Sequence, residues 1–321
     1  MSLYPLLLNP ALHVKVWGGR RLETLLHKAL PTADPYGESW EMHDTATVAN
    51  GAHAGRSLAD LLREYGHDLV GADNDPAEGL PLLAKFLDPS DWLSVQVHPN
   101  DEQARQLEGD PRGKTEAWYV LYAEPGAKLV MAVKPGTSRA EMAAAIRANT
   151  LEGLLLYASV APGDVLLNNA GGVHALGPGI LIYEIQQSSD ITYRLYDWGR
   201  MDLDGQPRAL HIDKGVAVAN LDSVPEIKHT GGSNLPVVDV VNSPYFVTLL
   251  HQLNPRNGTR ITLDTAGRRF HILTCIDGAA TITAGDTTVA LGMGQTALIP
   301  ASLGVYTLSG EACVLRSNQP G

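Results

Sequence analysis

Apolar and polar positions alternate along much of this chain with a period of two. From Trp92 to His98, Leu93, Val95 and Val97 fall on one side, and Trp92, Ser94, Gln96 and His98 on the other. That is how successive side chains leave a β-strand. Residues 114–120 repeat the pattern, with Lys114, Glu116 and Trp118 on one face. A polar run over 183–198 places Thr192, Arg194 and Tyr196 together. Turn formers stand between such runs, and 32 Gly and 20 Pro suit many short strands joined by tight turns. The pattern predicts a mainly β protein, a sandwich or jelly roll, with a few short helices added.

Three stretches follow a helical spacing instead. Residues 56–66 start at Ser57 as the cap and end at Gly66. Residues 138–148 carry Ser138 with Glu141 three places on, the arrangement of a capping box. Residues 208–219 make the third.

A length of 321 residues exceeds a typical single domain. The stretch 222–236 has the composition of a linker, which predicts domains over 1–221 and 237–321. An internal echo supports two related β units. Gly163 to Ala170, leading to Val173-His174-Ala175-Leu176, superposes with one gap on Gly294 to Ala301, leading to Val305-Tyr306-Thr307-Leu308. Tyr306 stands where the first copy has His174. The second unit has no His-X-His pair, so a role without metal or catalysis is expected for it, its apolar strands serving packing or contact between copies in a homo-oligomer.

The net charge of −11 argues against a nucleic-acid partner, which would need a basic surface. An anionic small molecule would have to be held by local Lys and Arg against the overall field. Cys275 and Cys313 lie in apolar strand-like segments and read as buried thiols without a disulfide framework. No basic segment precedes the first apolar run and no run of 18 apolar residues exists, so neither a signal peptide nor a membrane span is expected. A cytoplasmic protein is the default. The acidic loop at Asp73, Asp75 and Glu78 lacks the ligand spacing of a calcium-binding EF-hand and reads as a solvated loop.

The chemistry concentrates around Gln96 and His98, two metal-capable side chains on one strand face. Glu116 and His174 can complete a set of two oxygen and two nitrogen donors. That mixture suits zinc, and it also accommodates cobalt, manganese or iron. His43, His53, His211 and His229 stand alone and read as hydrogen-bonded structural residues. The polar run with Glu184, Asp190 and Arg194 reads either as a solvated strand, with one of the acids pairing Arg194, or as the lining of a cleft. Buried polar groups are expensive unless paired, and their density favours the cleft.

At these residues the chain closely resembles the type I mannose-6-phosphate isomerases in their short bacterial form. The segments that carry it are Val16-Trp17-Gly18-Gly19, Gly37-Glu38-Ser39-Trp40-Glu41, Ser94 to Asp101, Gly113-Lys114-Thr115-Glu116, Val173-His174-Ala175 and Gln187 to Asp197. The resemblance is strong over about residues 5–220 and weaker beyond. It implies two cupin-type jelly-roll domains and one zinc per chain, held by Gln96, His98, Glu116 and His174. It implies a phosphosugar substrate, with its phosphate drawing on Ser94, Lys85 and Lys114, and Trp17 as a wall of the sugar pocket. Only 57 residues lie between Glu116 and His174, so the helical insertion of longer family members should be absent or tiny. The turn before His174 departs from the family's usual Pro-Ser-Gly-Thr, reading Asn169-Ala170-Gly171-Gly172, and Gly177-Pro178-Gly179 offers no charge.

The implied reaction moves a proton between C1 and C2 of an aldose and a ketose phosphate, through an enediol(ate). Arg194 suits the developing negative charge. Glu184, followed by Asp190, leads as proton carrier, and Lys114 could serve if its pKa were lowered. The rival readings are a non-catalytic sugar-phosphate-binding cupin, an iron-dependent cupin oxygenase, an isomerase of a related sugar, and a structural β-sandwich module. The retention of Lys114, Glu184, Asp190 and Arg194 disfavours the first. Gln96, as a fourth protein ligand, disfavours the second.

Overall fold

A computed structural model describes residues 3–321. It has two β-barrels packed through a shared core. The first barrel is built on a seven-stranded antiparallel sheet, in the order Ile227–His229, Asp164–Asn168, Glu116–Ala123, Ile180–Gln187, Leu82–Leu87, Tyr36–Met42 and Ala11–Gly19. Facing it are two hairpin-like pairs, Val95–Val97 with Tyr193–Tyr196, and Lys128–Val133 with Leu155–Ser159. Single bridges from His174 to Gln96 and from Ala175 to Val130 stitch these pairs together. The result is a jelly-roll cupin whose interior lies between the two layers.

Ile180–Gln187 shows why the strands read as they do. Leu181, Tyr183 and Ile185 point into the core shared with the second barrel. Ile180 and Ile182 point into the first barrel. Both faces are buried, so the polar residues that alternate with the core side, Glu184 and Gln186, are committed to the barrel interior.

The second barrel is a nine-stranded sheet running Val237–Asn242, Val247–Leu253, Val305–Asn318, His271–Ala284, Thr296–Ile299, Leu6–Asn9 and Thr47–Val48, with Arg260–Asp264 and Thr287–Gly292 branching from it. Two of these strands come from the start of the chain, with Leu6 opposite Leu298. The stretch 222–236, read from its composition as a linker, contains the strand Ile227–His229, which pairs with Asp164–Leu166. The Tyr183 hydroxyl and Ser317 Oγ meet at 3.1 Å across the shared core.

The predicted helices are present. Leu58–Tyr65 is capped by Ser57, whose Oγ accepts from the Asp60 amide at 3.1 Å. Arg139–Arg147 has the full Ser138/Glu141 capping box, and Ile212–Val218 falls within the third predicted stretch. The structure adds Asp101–Glu108, with its own capping box from Asn100 and Gln103. The span between Glu116 and His174 holds strands and the nine-residue helix Arg139–Arg147, with no helical domain. Cys275 is buried, Cys313 half-buried, and both are free. Asp73, in the acidic loop, pairs with Arg268 and Arg269.

The echoed glycines both turn the chain in the left-handed region, Gly163 at φ 88° and Gly294 at φ 77°. A Cβ at Gly294 would stand 2.2 Å from the Leu26 carbonyl oxygen, which is backbone and cannot step aside. Gly294→Ala is therefore expected to destabilise the protein by about 2 kcal/mol or more, from strain plus overlap. A urea denaturation series against the parent checks this; an unchanged midpoint would contradict it.

Candidate metal centre and cleft

Gln96 lies in the strand Val95–Val97, and His98 follows its end. The backbone amides and carbonyls of Gln96 and His174 bond to each other, at 3.0 Å both ways. Glu116 opens the strand Glu116–Ala123 on the opposite layer and points back across the barrel. His98 Nε2 lies 3.5 Å from Glu116 Oε2, and His174 Nε2 lies 3.1 Å from Glu116 Oε1. The Gln96 carboxamide nitrogen is 3.3 Å from His174 Nε2. The candidate ligand atoms of His98, Glu116 and His174 all fall within 4.8 Å of one another.

Backbone contacts fix which ring atoms face inward. His98 Nδ1 donates to the Ile191 carbonyl at 2.8 Å, and His174 Nδ1 donates to the Gly172 carbonyl at 3.0 Å. With the protons on Nδ1, both Nε2 lone pairs point at the Glu116 carboxylate. Both histidines are 1% exposed and Glu116 is 0% exposed. His98 Nε2 and Glu116 Oε1 have no hydrogen-bond partner among the described residues, while Glu116 Oε2 faces the Lys114 ammonium. Lone pairs converging on a buried carboxylate repel unless a cation sits among them, so this donor set fits a divalent metal ion. The departed turn takes part: Gly172 orients His174, and the Gly171 amide donates to the His98 carbonyl at 2.8 Å.

The charges are set for ligation. Burial first, then Lys114, hold His98 well below its ordinary pKa, so it is neutral at neutral pH. Burial alone would raise Glu116, but Lys114 and the two histidines outweigh it and hold the carboxyl well below its usual range. Lys114 Nζ is 2.9 Å from Glu116 Oε2. Burial pulls the Lys114 ammonium down, yet Glu116 and Glu184 outweigh that and keep it above its ordinary value. As a proton carrier Lys114 would need its pKa lowered by the cation that this ligand set fits. Its geometry is that of a fixed cation.

A cleft of about 310 Å³ opens above this centre. Trp17, Lys85, Ser94, Gln96, Lys114, Glu184, Asp190 and Arg194 all line it, and His98, Glu116 and His174 lie beneath. Glu184 is buried. Its Oε2 accepts from Trp118 Nε1 at 2.8 Å, and its Oε1 lies 3.6 Å from Lys85 Nζ. Burial, then the Glu116 charge, push its carboxyl up. Asp190 is exposed at the rim. Arg194 bonds the Ala209 carbonyl at 3.0 Å, and its Nε is buried without a partner among the described residues. Neither Glu184 nor Asp190 pairs with it, which departs from the solvated-strand reading. Tyr196 also leaves the expected face. The register shifts between Arg194 and Tyr196, and Tyr196 packs into an apolar core instead.

Three charged residues of the lining were not picked out from the sequence. Lys15 and Glu38 pair at 3.2 Å, and Arg208 bonds Asp197 at 2.6 Å. Lys15 shares an alternating strand with Trp17, and that spacing was the available signal. Five cations then face three acids around the cleft, in a chain of net charge −11. The lining is built for an anionic, polar ligand.

A jelly-roll barrel that closes two histidines and a glutamate beneath a cation-lined cleft defines a metal-binding type of cupin. Residues 6–133 match the family model described as the phosphomannose isomerase type I catalytic domain. Residues 239–319 match the mannose-6-phosphate isomerase cupin domain. The mannose-6-phosphate isomerase of Streptococcus mutans is 34% identical, over 98% of both chains. The crystal structure of the mannose 6-phosphate isomerase from Bacillus subtilis superposes with a TM-score of 0.87 at 31% identity, covering 98% of this chain and 99% of that one. A putative mannosephosphate isomerase from Archaeoglobus fulgidus shares the fold, at TM-score 0.79 and 20% identity. The chain belongs to the type I phosphomannose isomerase family, and it is an enzyme of that family.

Proposed function

We propose that the protein interconverts mannose 6-phosphate and fructose 6-phosphate, with one zinc ion held by Gln96, His98, Glu116 and His174. The observation that carries this reading is the continuity of the buried candidate ligand set with a cleft that has a raised carboxyl, Glu184, and a guanidinium, Arg194, with no carboxylate partner among the described residues. Zinc bound there supplies a Lewis acid that draws charge from the sugar oxygens.

The chain's own groups do the rest. Lys85, Lys114 and Ser94 receive the phosphate, and Trp17 forms the apolar wall against the sugar. Glu184 takes the proton from C2 of the aldose and returns it at C1, while the hydroxyl proton passes from O2 to O1. Its raised pKa brings it closer to the working pH, as a proton carrier requires. Arg194 faces the enediolate charge as it develops, and Asp190 at the rim helps to orient the polar substrate.

The test is a coupled assay from mannose 6-phosphate to fructose 6-phosphate. Turnover should disappear with a chelator and return when zinc is added. No turnover in metal-replete protein would overturn the reading. No helix of the described residues is long and apolar enough to cross a membrane.

A further inference from the structure

The second barrel has a polar centre of its own, and the isomerase reading does not use it. Val247–Leu253, Val305–Asn318 and His271–Ala284 are neighbouring strands in that order. His251 lies opposite Val314, while Arg316 lies opposite both Leu249 and Leu273. Alternation then puts His251, Arg316 and His271 on the inner face, together with the core residues Leu253, Leu273 and Val314. Arg316 is on the middle strand, diagonal to a histidine on either side.

These groups are short of partners. His251 is 3% exposed, and neither ring nitrogen has a hydrogen-bond partner among the described residues. Arg316 Nε is likewise buried and without a partner among the described residues. No carboxylate pairs with Arg316 among the described residues, and Asp73 is held by Arg269 at 3.1 Å and Arg268 at 3.2 Å. Only His271 is held, its Nδ1 lying 2.8 Å from the buried Tyr306 hydroxyl. When the hydroxyl donates, the His271 proton sits on Nε2 and is free to be given to a ligand. Burial, then Arg316, lower His251 to about 4 and His271 to about 3, so both rings are neutral at neutral pH.

A guanidinium without a carboxylate, flanked by two neutral N–H donors, repels a metal ion and attracts an anion. Arg316 is half-buried, so the set leads inward from the surface. We propose that this centre in the second barrel binds a small oxyanion, either inorganic phosphate or the phosphoryl end of a phosphosugar. Arg316 is the cationic anchor, and His251 and His271 are the donors.

The holoenzyme, titrated with inorganic phosphate and followed by the ring resonances of His251 and His271, tests this. His251→Gln and His271→Gln provide the assignments. Both resonances should shift saturably, and the midpoint should rise roughly tenfold or more in Arg316→Gln. Arg316→Lys keeps the charge but loses the fork and should fall between. A parallel titration with fructose 6-phosphate and with fructose separates the sources. A shift with both phosphate and the phosphosugar supports free-anion binding, and a shift with the phosphosugar alone assigns the site to a phosphorylated ligand. Isomerase turnover should stay within about twofold in Arg316→Gln, since the first barrel is untouched, and this checks the fold. Unmoved resonances with every ligand, an unchanged midpoint in Arg316→Gln, or a second metal ion bound by His251 and His271 would overturn the proposal.

Discussion

His174→Ala should abolish metal binding and isomerisation together. In the proposed site the ring is one of four ligands, and it is held by the Gly172 carbonyl while the main chain is paired with Gln96. Losing only an outer partner of a metal ligand weakens binding about 10–100-fold, so loss of the ligand itself should exceed that. What remains is a buried carboxylate facing one imidazole, with Lys114 still 2.9 Å away. That ion pair keeps Glu116 from being orphaned, so the variant should fold. It does lose the edge contact between Trp118 and the His174 ring, whose centroids are 5.3 Å apart. Elemental analysis and the coupled assay should fall in step, with the circular-dichroism spectrum unchanged. Full metal stoichiometry in His174→Ala would remove His174 from the ligand set. His174→Gln, which can still offer an oxygen, should retain more metal than the alanine variant.

The convergence of the candidate ligands was legible because each member sits where local pattern has only two outcomes. Gln96 and His98 lie two apart on a strand, so one choice of face fixes both. Their partners were read from separate motifs, and the barrel brings the motifs together. The rest of the lining was not legible because no local rule places it. Lys15 and Glu38 come from a hairpin, and Arg208 from a loop pinned by Asp197; only the closed barrel puts them at one cleft. Tyr196 shows the limit of alternation. A bulge adds a residue between it and Arg194, and one residue is enough to exchange faces.

Other differences have the same origin. The helix Asp101–Glu108 was signalled by Asn100 and Gln103, but those residues follow closely on the strand Val95–Val97 and read as its continuation. The strand Leu6–Asn9 joins the sheet of the second barrel, pairing with Thr296–Ile299 some 290 residues away in sequence. Its alternation marks it as a strand and carries no information about its partner. The echo between Gly163 and Gly294 was readable because both turns demand the same backbone, and a left-handed residue that cannot carry a Cβ selects glycine each time.

Glu184→Gln should retain the metal and lose turnover, which separates proton transfer from ligation. The amide has the shape of the carboxylate, and its oxygen can still accept from Trp118 Nε1, now 2.8 Å away. The substituted side chain cannot take up a proton. Loss of a general base lowers kcat by about 10²–10⁴-fold, with KM little changed because binding rests on other residues. The pH profile carries a second readout. A base must be ionised to act, and burial with the Glu116 charge raises the Glu184 carboxyl above its ordinary value. Activity of the parent should therefore fall as pH drops through that raised pKa, earlier than for a solvated glutamate, and the limb should vanish from any residual activity of the variant. The stability sign is opposite to that of a salt-bridged acid. A carboxyl whose pKa rises on folding disfavours the fold once pH exceeds its unfolded value. Glu184→Gln at neutral pH should thus show no lower unfolding midpoint than the parent, despite the lost contact to Lys85. If turnover stayed within tenfold of the parent, or the acidic limb persisted unchanged, the proton would have to move through Asp190 or another group of the cleft.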